Sequence, residues 1–337
     1  MAFEVPGELS RAPVPFRSVT LYLVTGGAGF IGSHLVSALV ERGDRVRVLD
    51  DLSSGRRENL EPLDVGELDG GARVEFLRGG LCDPATLRRA CRGVSGVFHQ
   101  AAQVSVPASI QDPQASYSTN VMGTLHVLEA ARAERVERVV FAASSAAYGD
   151  EPTLPKDEAM PTRPLSPYAS GKLAGEALLA VWGRVFGLRT VALRYFNVYG
   201  PRQADDSPYS GVIALFARAV LDRRAPTIFG DGEQTRDFVF VEDAVQANLL
   251  AMERSLEPGI VLNVGTEKRV TINELYRELA GLAGFAGEPR HGLARSGDVR
   301  HSQASIARAR ELLGFEPRVG LHEGLARTLD WYRGQRG

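Results

Sequence analysis

Gly26, Gly29 and Gly32 in the run Val24-Thr25-Gly26-Gly27-Ala28-Gly29-Phe30-Ile31-Gly32 stand where an apolar strand gives way to an amphipathic helix, and this constrains the chain more than any other feature. Leu21 to Thr25 reads as a short buried strand. Ile31, Leu35 and Leu39, with Val36 and Val40 beside them, give the next segment one apolar helical face. Without Cβ atoms, Gly26 and Gly29 let the backbone turn tightly and approach a diphosphate, Gly32 lets the helix pack close to the strand, and the helix N-terminus faces the anion. A second apolar strand, Arg45 to Leu49, runs into Asp50, where a carboxylate can accept from ribose hydroxyls and repel a 2′-phosphate. Strand, glycine turn, helix, strand and acid in that order predict a dinucleotide site, with NAD favoured over NADP. Arg56 and Arg57 lie close enough in sequence to leave the phosphate question open.

The strand and helix rhythm continues. Arg73 to Leu77, Gly96 to His99, Arg138 to Ala142 and Arg189 to Arg194 read as further strands, with amphipathic stretches between them. That alternation predicts an α/β fold with a doubly wound parallel sheet. After about Phe196 the rhythm breaks at Gly200-Pro201 and Asp205-Asp206-Ser207-Pro208, and short strands near Pro226 to Phe229 and Phe238 to Val241 announce a second, smaller α/β lobe. Phe238 to Met252 reads as a strand and helix that cross back and finish the sheet. With 337 residues, 44% of them apolar, the chain can bury a substantial core. Basic and acidic residues number 39 and 41, so no global electrostatic footprint for nucleic acid or an anionic membrane is expected. No apolar run reaches the ~18 residues of a membrane span, and Met1 to Thr20 lacks the apolar centre of a secretory signal. A cytoplasmic protein with a polar arm over residues 1–18 is the expectation. Cys82 and Cys91 are the two cysteines, too few for a disulfide framework and without zinc-ligand spacing, so no metal is expected.

Tyr168-Ala-Ser-Gly-Lys172 lies in a helical stretch opened by Ser166-Pro167, and a spacing of four puts Tyr168 and Lys172 on one face. A free tyrosine titrates near ~10, so ionising it at pH 7 costs about 4 kcal/mol, which a nearby ammonium and an oxidised nicotinamide reduce. Just upstream, Val139-Val140-Phe141-Ala142-Ala143-Ser144-Ser145 reads as a strand ending in hydroxyls at the carboxyl edge, where Ser144 can hydrogen-bond a reacting oxygen. Tyrosine base, lysine and serine point to proton transfer beside a nicotinamide.

With these motifs in view, residues 20 to 335 resemble the extended short-chain dehydrogenase/reductase superfamily, and within it the nucleotide-sugar epimerases. The glycine run, His99-Gln100-Ala101-Ala102, Ser144 to Gly149, Tyr168 with Lys172, Leu193 to Arg202, Gly230 to Phe238 and Arg295 to Ser302 carry the resemblance. It implies a Rossmann domain over 19–196 plus about 235–258 that binds NAD, and a UDP-sugar-binding lobe over 197–234 plus 259–337. Cofactor contacts are expected from Gly26, Gly29, Phe30, Ile31, Gly32, Asp50, Leu81, Gln100, Ala101, Ala102, Tyr168 and Lys172. By the same resemblance Tyr168 is the base, Lys172 binds the nicotinamide ribose, and Ser144 positions the sugar hydroxyl. Ser145, Asn197, Arg236, Arg295, Asp298 and Ser302 are the expected substrate contacts. The implied activity is that of a UDP-sugar 4-epimerase working through a transient 4-keto sugar with retained NAD. In similar epimerases the position of Ser302 is a size gate: tyrosine restricts the site to plain hexoses, and a small residue admits a 2-acetamido group. The expected substrates are therefore UDP-N-acetylglucosamine and UDP-N-acetylgalactosamine, with UDP-glucose and UDP-galactose in addition. A homodimer through the helix around Ser116 to Ala133 and the helix carrying Tyr168 is also implied.

Two departures from the family pattern stand out. After the third strand the family carries an aspartate that touches adenine, whereas this chain reads Gly79-Gly80-Leu81-Cys82-Asp83 with Gly80 at that place; the Leu81 amide or a shifted Asp83 are the alternatives. Ala146 replaces a further hydroxyl. Nucleotide-sugar dehydratases use an Asp-Glu pair where Ser145 and Ala146 stand, and related decarboxylases a glutamate at Ala146, which disfavours both chemistries. An epimerase restricted to plain hexoses or acting on a UDP-uronic acid, and a non-catalytic NAD-binding sensor or scaffold, are the remaining alternatives; retention of Tyr168 and Lys172 speaks against the last.

Overall fold

The computed structural model describes residues 19–205, 210–294 and 299–335; the arm expected over residues 1–18 lies outside them. Its first half alternates β1 (Leu21–Thr25), α1 (Phe30–Glu41), β2 (Arg45–Asp50), β3 (Val65–Glu67), β4 (Val74–Arg78), α2 (Pro84–Cys91), β5 (Gly96–His99), α3 (Val106–Gln111), α4 (Pro113–Tyr117), α5 (Gly123–Ala133), β6 (Arg138–Ser144), α6 (Pro167–Phe186) and β7 (Arg189–Tyr195). The second half contains β8 (Asn197–Tyr199), α7 (Val212–Leu221), β9 (Thr227–Phe229), β10 (Thr235–Arg236), β11 (Phe238–Phe240), α8 (Val241–Glu253), β12 (Ile260–Val264), β13 (Val270–Thr271), α9 (Ile272–Ala283), β14 (Arg290–Gly292), α10 (Ala307–Leu313) and α11 (Leu321–Gly334).

Eight strands form one sheet in the order β12-β7-β6-β5-β1-β2-β4-β3, and every pairing in it is parallel. Side chains of a strand alternate between its two faces, and here both faces are apolar. Val24, Val48, Phe98, Val140 and Leu193 meet Leu35 and Leu39 of α1 and Ala244 and Ala247 of α8 in one core. Leu23, Val97, Val139 and Ala192 meet Leu87 of α2, Val127 and Leu128 of α5 and Leu179 of α6 in another. Burying each such leucine contributes about 1.5–3 kcal/mol, and helices on both faces explain why the strands read as apolar runs. The fold is the doubly wound parallel sheet that the alternation predicts.

One expectation is corrected. Phe238–Phe240 does not join this sheet: β11 pairs in parallel with β8 in a separate ribbon, and Phe238 and Phe240 point into the third core with Tyr199, Ile213, Phe216, Leu275 and Leu329. Three residues leading straight into α8 are too short to span the sheet, and the longer β-branched run of β12 takes the edge beside β7. Helix α8 does pack on the sheet, in the same core as α1. The helix expected around Ser116 to Ala133 is present, and a π-turn over Ser118–Met122 joins α4 to α5 without a break. In this wider turn Asn120 faces the Gln103 backbone, accepting from its N–H at 2.9 Å and donating to its carbonyl at 3.0 Å. Such turns cluster at functional sites, and this one lies against Gly171, where a Cβ would come 3.2 Å from the Asn120 Cβ.

Candidate active site

The glycine turn is built against the end of β5. Gly26 adopts φ +68°, and a Cβ there would lie 2.7 Å from the Ala101 nitrogen and 2.8 Å from its Cα. Gly29, in ordinary backbone at φ −76°, precedes α1; a Cβ on it would meet only the Gly26 carbonyl, at 3.1 Å, so its other side is open. A Cβ on Gly32 would overlap the Gly26 carbonyl, which means that Gly32 lets α1 close onto the turn itself rather than onto the strand. Asp50, buried at the end of β2, accepts from the Ala28 N–H and the Leu52 N–H at 2.9 Å each. Burial pushes its carboxyl up while these hydrogen bonds oppose the rise. An aspartate here thus ties the turn to β2 and still has lone pairs for a ribose. Arg57 stacks over Phe76 at 5.0 Å, and the Arg56 amide donates to the Ala28 carbonyl at 2.9 Å. Phe30 and Ile31 open α1 and pack their side chains against the core formed around Tyr199, Phe216 and Leu275.

His99, Gln100, Ala101 and Ala102 follow in the adjoining strand and loop. The Gln100 side chain turns away from the glycine loop: its Nε2 donates to Asn248 Oδ1 at 3.0 Å and lies beside the Tyr195 hydroxyl. The Ala101 N–H donates to Thr25 Oγ1 at 3.3 Å, and Thr25 is in turn bonded to His99 Nδ1 at 2.8 Å. His99 Nε2 reaches Thr124 Oγ1 at 3.1 Å, and full burial takes its pKa down to about 3, so it is a neutral strut between β1, β5 and α5. Sequence reasoning quoted His99 within a motif without giving it a task; its signal is a polar residue closing an otherwise apolar buried strand.

Tyr168, Lys172 and Ser144 converge. Ser166 caps α6 by accepting from the Ala169 N–H at 3.2 Å, with Pro167 at the first helical position. The Tyr168 N–H donates to Ser109 Oγ of α3 at 3.2 Å, and its buried phenol has the Ser144 side chain nearby. Burial pushes the Tyr168 phenol above its ordinary value, and the Ser144 contact opposes that rise. Lys172, 3% exposed, donates from Nζ to the Ala142 carbonyl at 2.7 Å and lies 4.9 Å over the Phe141 ring. Burial brings its pKa down to about 7. One turn further along α6, Glu176 receives both Arg194 Nε at 2.9 Å and Nη2 at 2.7 Å, which fixes the helix to β7. Arg194 also stacks on Tyr148, 4.7 Å away.

On the second-lobe side, Ser145 opens the short 3-10 turn that follows Ser144, and no acidic residue stands in that turn. Asn197 Nδ2 donates to the Asp237 carbonyl at 3.1 Å. Arg236 lies in β10, and the Ser302 N–H donates to the carbonyl of its neighbour Thr235 at 3.1 Å, so these two predicted residues flank one short strand. Arg295 and Asp298 lie outside the described residues. Asp237, which sequence reasoning missed, holds this region together. Its buried carboxylate accepts from Thr266 N–H at 2.8 Å, Thr266 Oγ1 at 2.7 Å, Glu267 N–H at 3.1 Å and Ala304 N–H at 3.0 Å. An aspartate beside an arginine in sequence gives no hint of four inward-facing donors.

A parallel sheet with helices on both faces, a glycine turn at the carboxyl end of its first strand and a tyrosine, lysine and serine at the ends of neighbouring elements define a short-chain dehydrogenase/reductase of the extended kind. Residues 22–265 match the model of the NAD dependent epimerase/dehydratase family. A "UDP-glucose 4-epimerase" of Mycolicibacterium smegmatis is 42% identical over 313 residues, covering 92% of this chain and 98% of that protein. Among solved structures, the Thermus thermophilus UDP-glucose 4-epimerase in complex with NAD superposes with a TM-score of 0.84 at 42% identity, covering 94% of this chain and 99% of the other. The UDP-N-acetylglucosamine 4-epimerase of Methanobrevibacter ruminantium, in complex with UDP-N-acetylmuramic acid, gives 0.88 at 36% identity, covering 95% and 100%. The chain belongs to the NAD-dependent epimerase/dehydratase family, and it is an NAD-dependent nucleotide-sugar epimerase.

Proposed function

We propose that this protein interconverts UDP-N-acetylglucosamine and UDP-N-acetylgalactosamine by inverting C4, and that it also accepts UDP-glucose and UDP-galactose. The observation that supports the acetylated substrates is Ser302, a small, half-buried residue bonded through its N–H to Thr235 beside Arg236, at the place where the family resemblance puts a size gate. The Methanobrevibacter relative named for UDP-N-acetylglucosamine supports it; the Mycolicibacterium and Thermus relatives support the plain hexoses. In this reading the sheet lobe holds NAD and the lobe around α7, α9 and α11 holds the UDP-sugar.

The proposed chemistry follows from the side chains. Tyr168, as phenolate, removes the proton from the sugar 4-hydroxyl while Ser144 holds that oxygen. NAD held beside Tyr168 and Lys172 would supply a reversible hydride acceptor for C4 of the sugar. Lys172 leaves the Ala142 carbonyl's sole company to share its ammonium with the nicotinamide ribose, and its charge favours the phenolate. Gly26, Gly29 and Gly32 shape the diphosphate cradle, with Asp50 on the adenosine ribose. Asn197, Arg236, Arg295 and Asp298 grip the nucleotide end so that the sugar alone turns. Two copies are proposed to pair through α4, the π-turn and α6, where Tyr117, Met122, Val181 and Val185 are exposed apolar residues.

Proton NMR of the purified protein with UDP-N-acetylglucosamine and separately with UDP-glucose, without added NAD, tests the reading through the anomeric signals. Appearance of the acetylated C4 epimer is the expected result. Conversion of UDP-glucose alone rejects the Ser302 argument, and no epimer from either sugar even after NAD is added rejects both substrates.

A further inference from the structure

The residues around the carboxyl ends of β2 and β4 raise a question about how this chain recognises adenine. These strands are neighbours in register, with Asp50 opposite Arg78. Beyond β4 the backbone is bare at Gly80. A Cβ on Gly80 would meet, within 4 Å, only Asp51, whose Oδ2 would lie 3.6 Å away. Asp51 is exposed, and its Oδ1 accepts from the Ser53 N–H at 2.9 Å, which orients the carboxylate. Oδ2, the oxygen beside Gly80, has no hydrogen-bond partner among the described residues.

The other acid at hand is committed elsewhere. Asp83 caps α2, accepting from the Ala85 N–H at 3.0 Å, the Thr86 N–H at 3.2 Å and the Thr86 hydroxyl at 2.5 Å. Releasing it would undo the start of that helix. Leu81 has its carbonyl held by His126 Nδ1 at 3.0 Å, while its N–H has no partner among the described residues. The space beside Gly80 therefore contains one free carboxylate oxygen from the neighbouring strand and, one residue on, one free backbone donor.

We infer that Asp51 is the adenine-reading carboxylate of this enzyme, reaching across from β2 into the space that Gly80 leaves. An adenine presents a donor at N6 and an acceptor at N1 along one edge. Asp51 Oδ2 accepts from the N6 amine, and the Leu81 amide donates to N1. A side-chain carboxylate at position 80 would crowd Asp51 with like charge, so the glycine and the displaced acid form one arrangement. The inference rests on NAD as the cofactor.

The full-length protein, freed of nucleotide and checked by circular dichroism, is titrated calorimetrically with NAD and with nicotinamide hypoxanthine dinucleotide, in which N6 is replaced by a carbonyl oxygen and N1 carries a hydrogen. Both positions of the edge are inverted, so the wild type is expected to prefer NAD by about tenfold, the scale of one hydrogen bond to a charged group on a partly exposed site. Asp51→Ala is expected to weaken NAD binding by a similar factor and to reduce the preference to the part set by the Leu81 amide at N1. Gly80→Asp added to Asp51→Ala restores both, whereas Gly80→Asp alone brings no gain. Asp51→Ala with its preference intact, or a wild type that binds both dinucleotides equally, overturns the inference while leaving NAD as the cofactor. Failure of the wild type to bind either dinucleotide would instead overturn the cofactor reading on which it rests.

Discussion

Gly26 and Gly29 belong to one motif, yet the structure assigns them different physical tasks, and alanine at each separates them. At Gly26 a side chain must adopt φ +68°, which costs about 1–2 kcal/mol for an L-residue. Its Cβ would also press on the Ala101 backbone from 2.7 Å, and overpacking of this kind adds about 1–3 kcal/mol. With a total near 3 kcal/mol and about 2 °C lost per kcal/mol in a chain of this size, Gly26→Ala should lower the melting temperature by about 6 °C or more. At Gly29 the backbone is ordinary, and replacing glycine at a compatible site stabilises by about 0.4–1 kcal/mol. The 3.1 Å approach to the Gly26 carbonyl offsets that gain, leaving stability nearly unchanged. The new methyl instead fills the open side of the turn. Losing one amide contact to a phosphate costs about 1.5–3 kcal/mol, so NAD affinity should fall by about 10- to 100-fold. The assay is a thermal melt of the nucleotide-free full-length protein together with calorimetric NAD titration of both variants. Equal melting losses, or an undiminished NAD affinity in Gly29→Ala, would refute the division of labour.

Tyr168→Phe should remove nearly all turnover, by about a thousandfold or more on the scale of general base catalysis, while calorimetry shows UDP-sugar binding within about threefold of wild type; retained turnover would dismiss Tyr168 as the base. Ser302→Tyr should lose activity on the acetylated pair and keep it on the plain hexoses, and an unchanged preference in the NMR assay would reject the size gate. Lys172 supplies a pH test. Burial sets its pKa at about 7 in the folded protein against ~10.4 in the unfolded chain, so the folded state binds fewer protons between those values and this residue's share of stability rises with pH from about 7 to about 10. Melting temperatures of the nucleotide-free wild type should therefore climb relative to Lys172→Met across that window, and parallel curves would show that Lys172 is not held in this way.

The parts of the fold that were readable in the chain are those where local pattern and burial agree. Gly96–His99 is legible because the small or apolar Gly96, Val97 and Phe98 are closed by the polar His99, whereas β6 and β7 run on to Ser144 and Tyr195 because those two residues pair with each other across the sheet. β3 escaped notice: with three residues and a glycine at its centre it has no periodicity to read. The π-turn at Asn120 has no local pattern either, and the Gln103 backbone that the Asn120 side chain holds lies 17 residues earlier in the chain. At the site, spacing and strand position single out Tyr168 and Ser144, and the structure puts the Ser144 side chain near the buried Tyr168 phenol. The direction of the Gln100 side chain, the strut made by His99 and the donors gathered by Asp237 depend on partners up to 148, 74 and 67 residues away in the chain. No local pattern encodes them.

The position of β12 at the edge of the main sheet affects how such a protein can change. Its strand is reached only after the chain has already passed through β8, α7, β9, β10 and β11, and the chain then leaves again for α9 and α11. Neither lobe is a contiguous stretch. A chain ended after Phe196 would leave β7 an open border, and a second lobe cut out between Asn197 and Gly334 would carry β12 away with nothing to pair against. The two halves of the cleft cannot be traded as cassettes between relatives. On the proposed reading, a new sugar preference would arise by single replacements at places such as Ser302, with the threaded framework inherited whole.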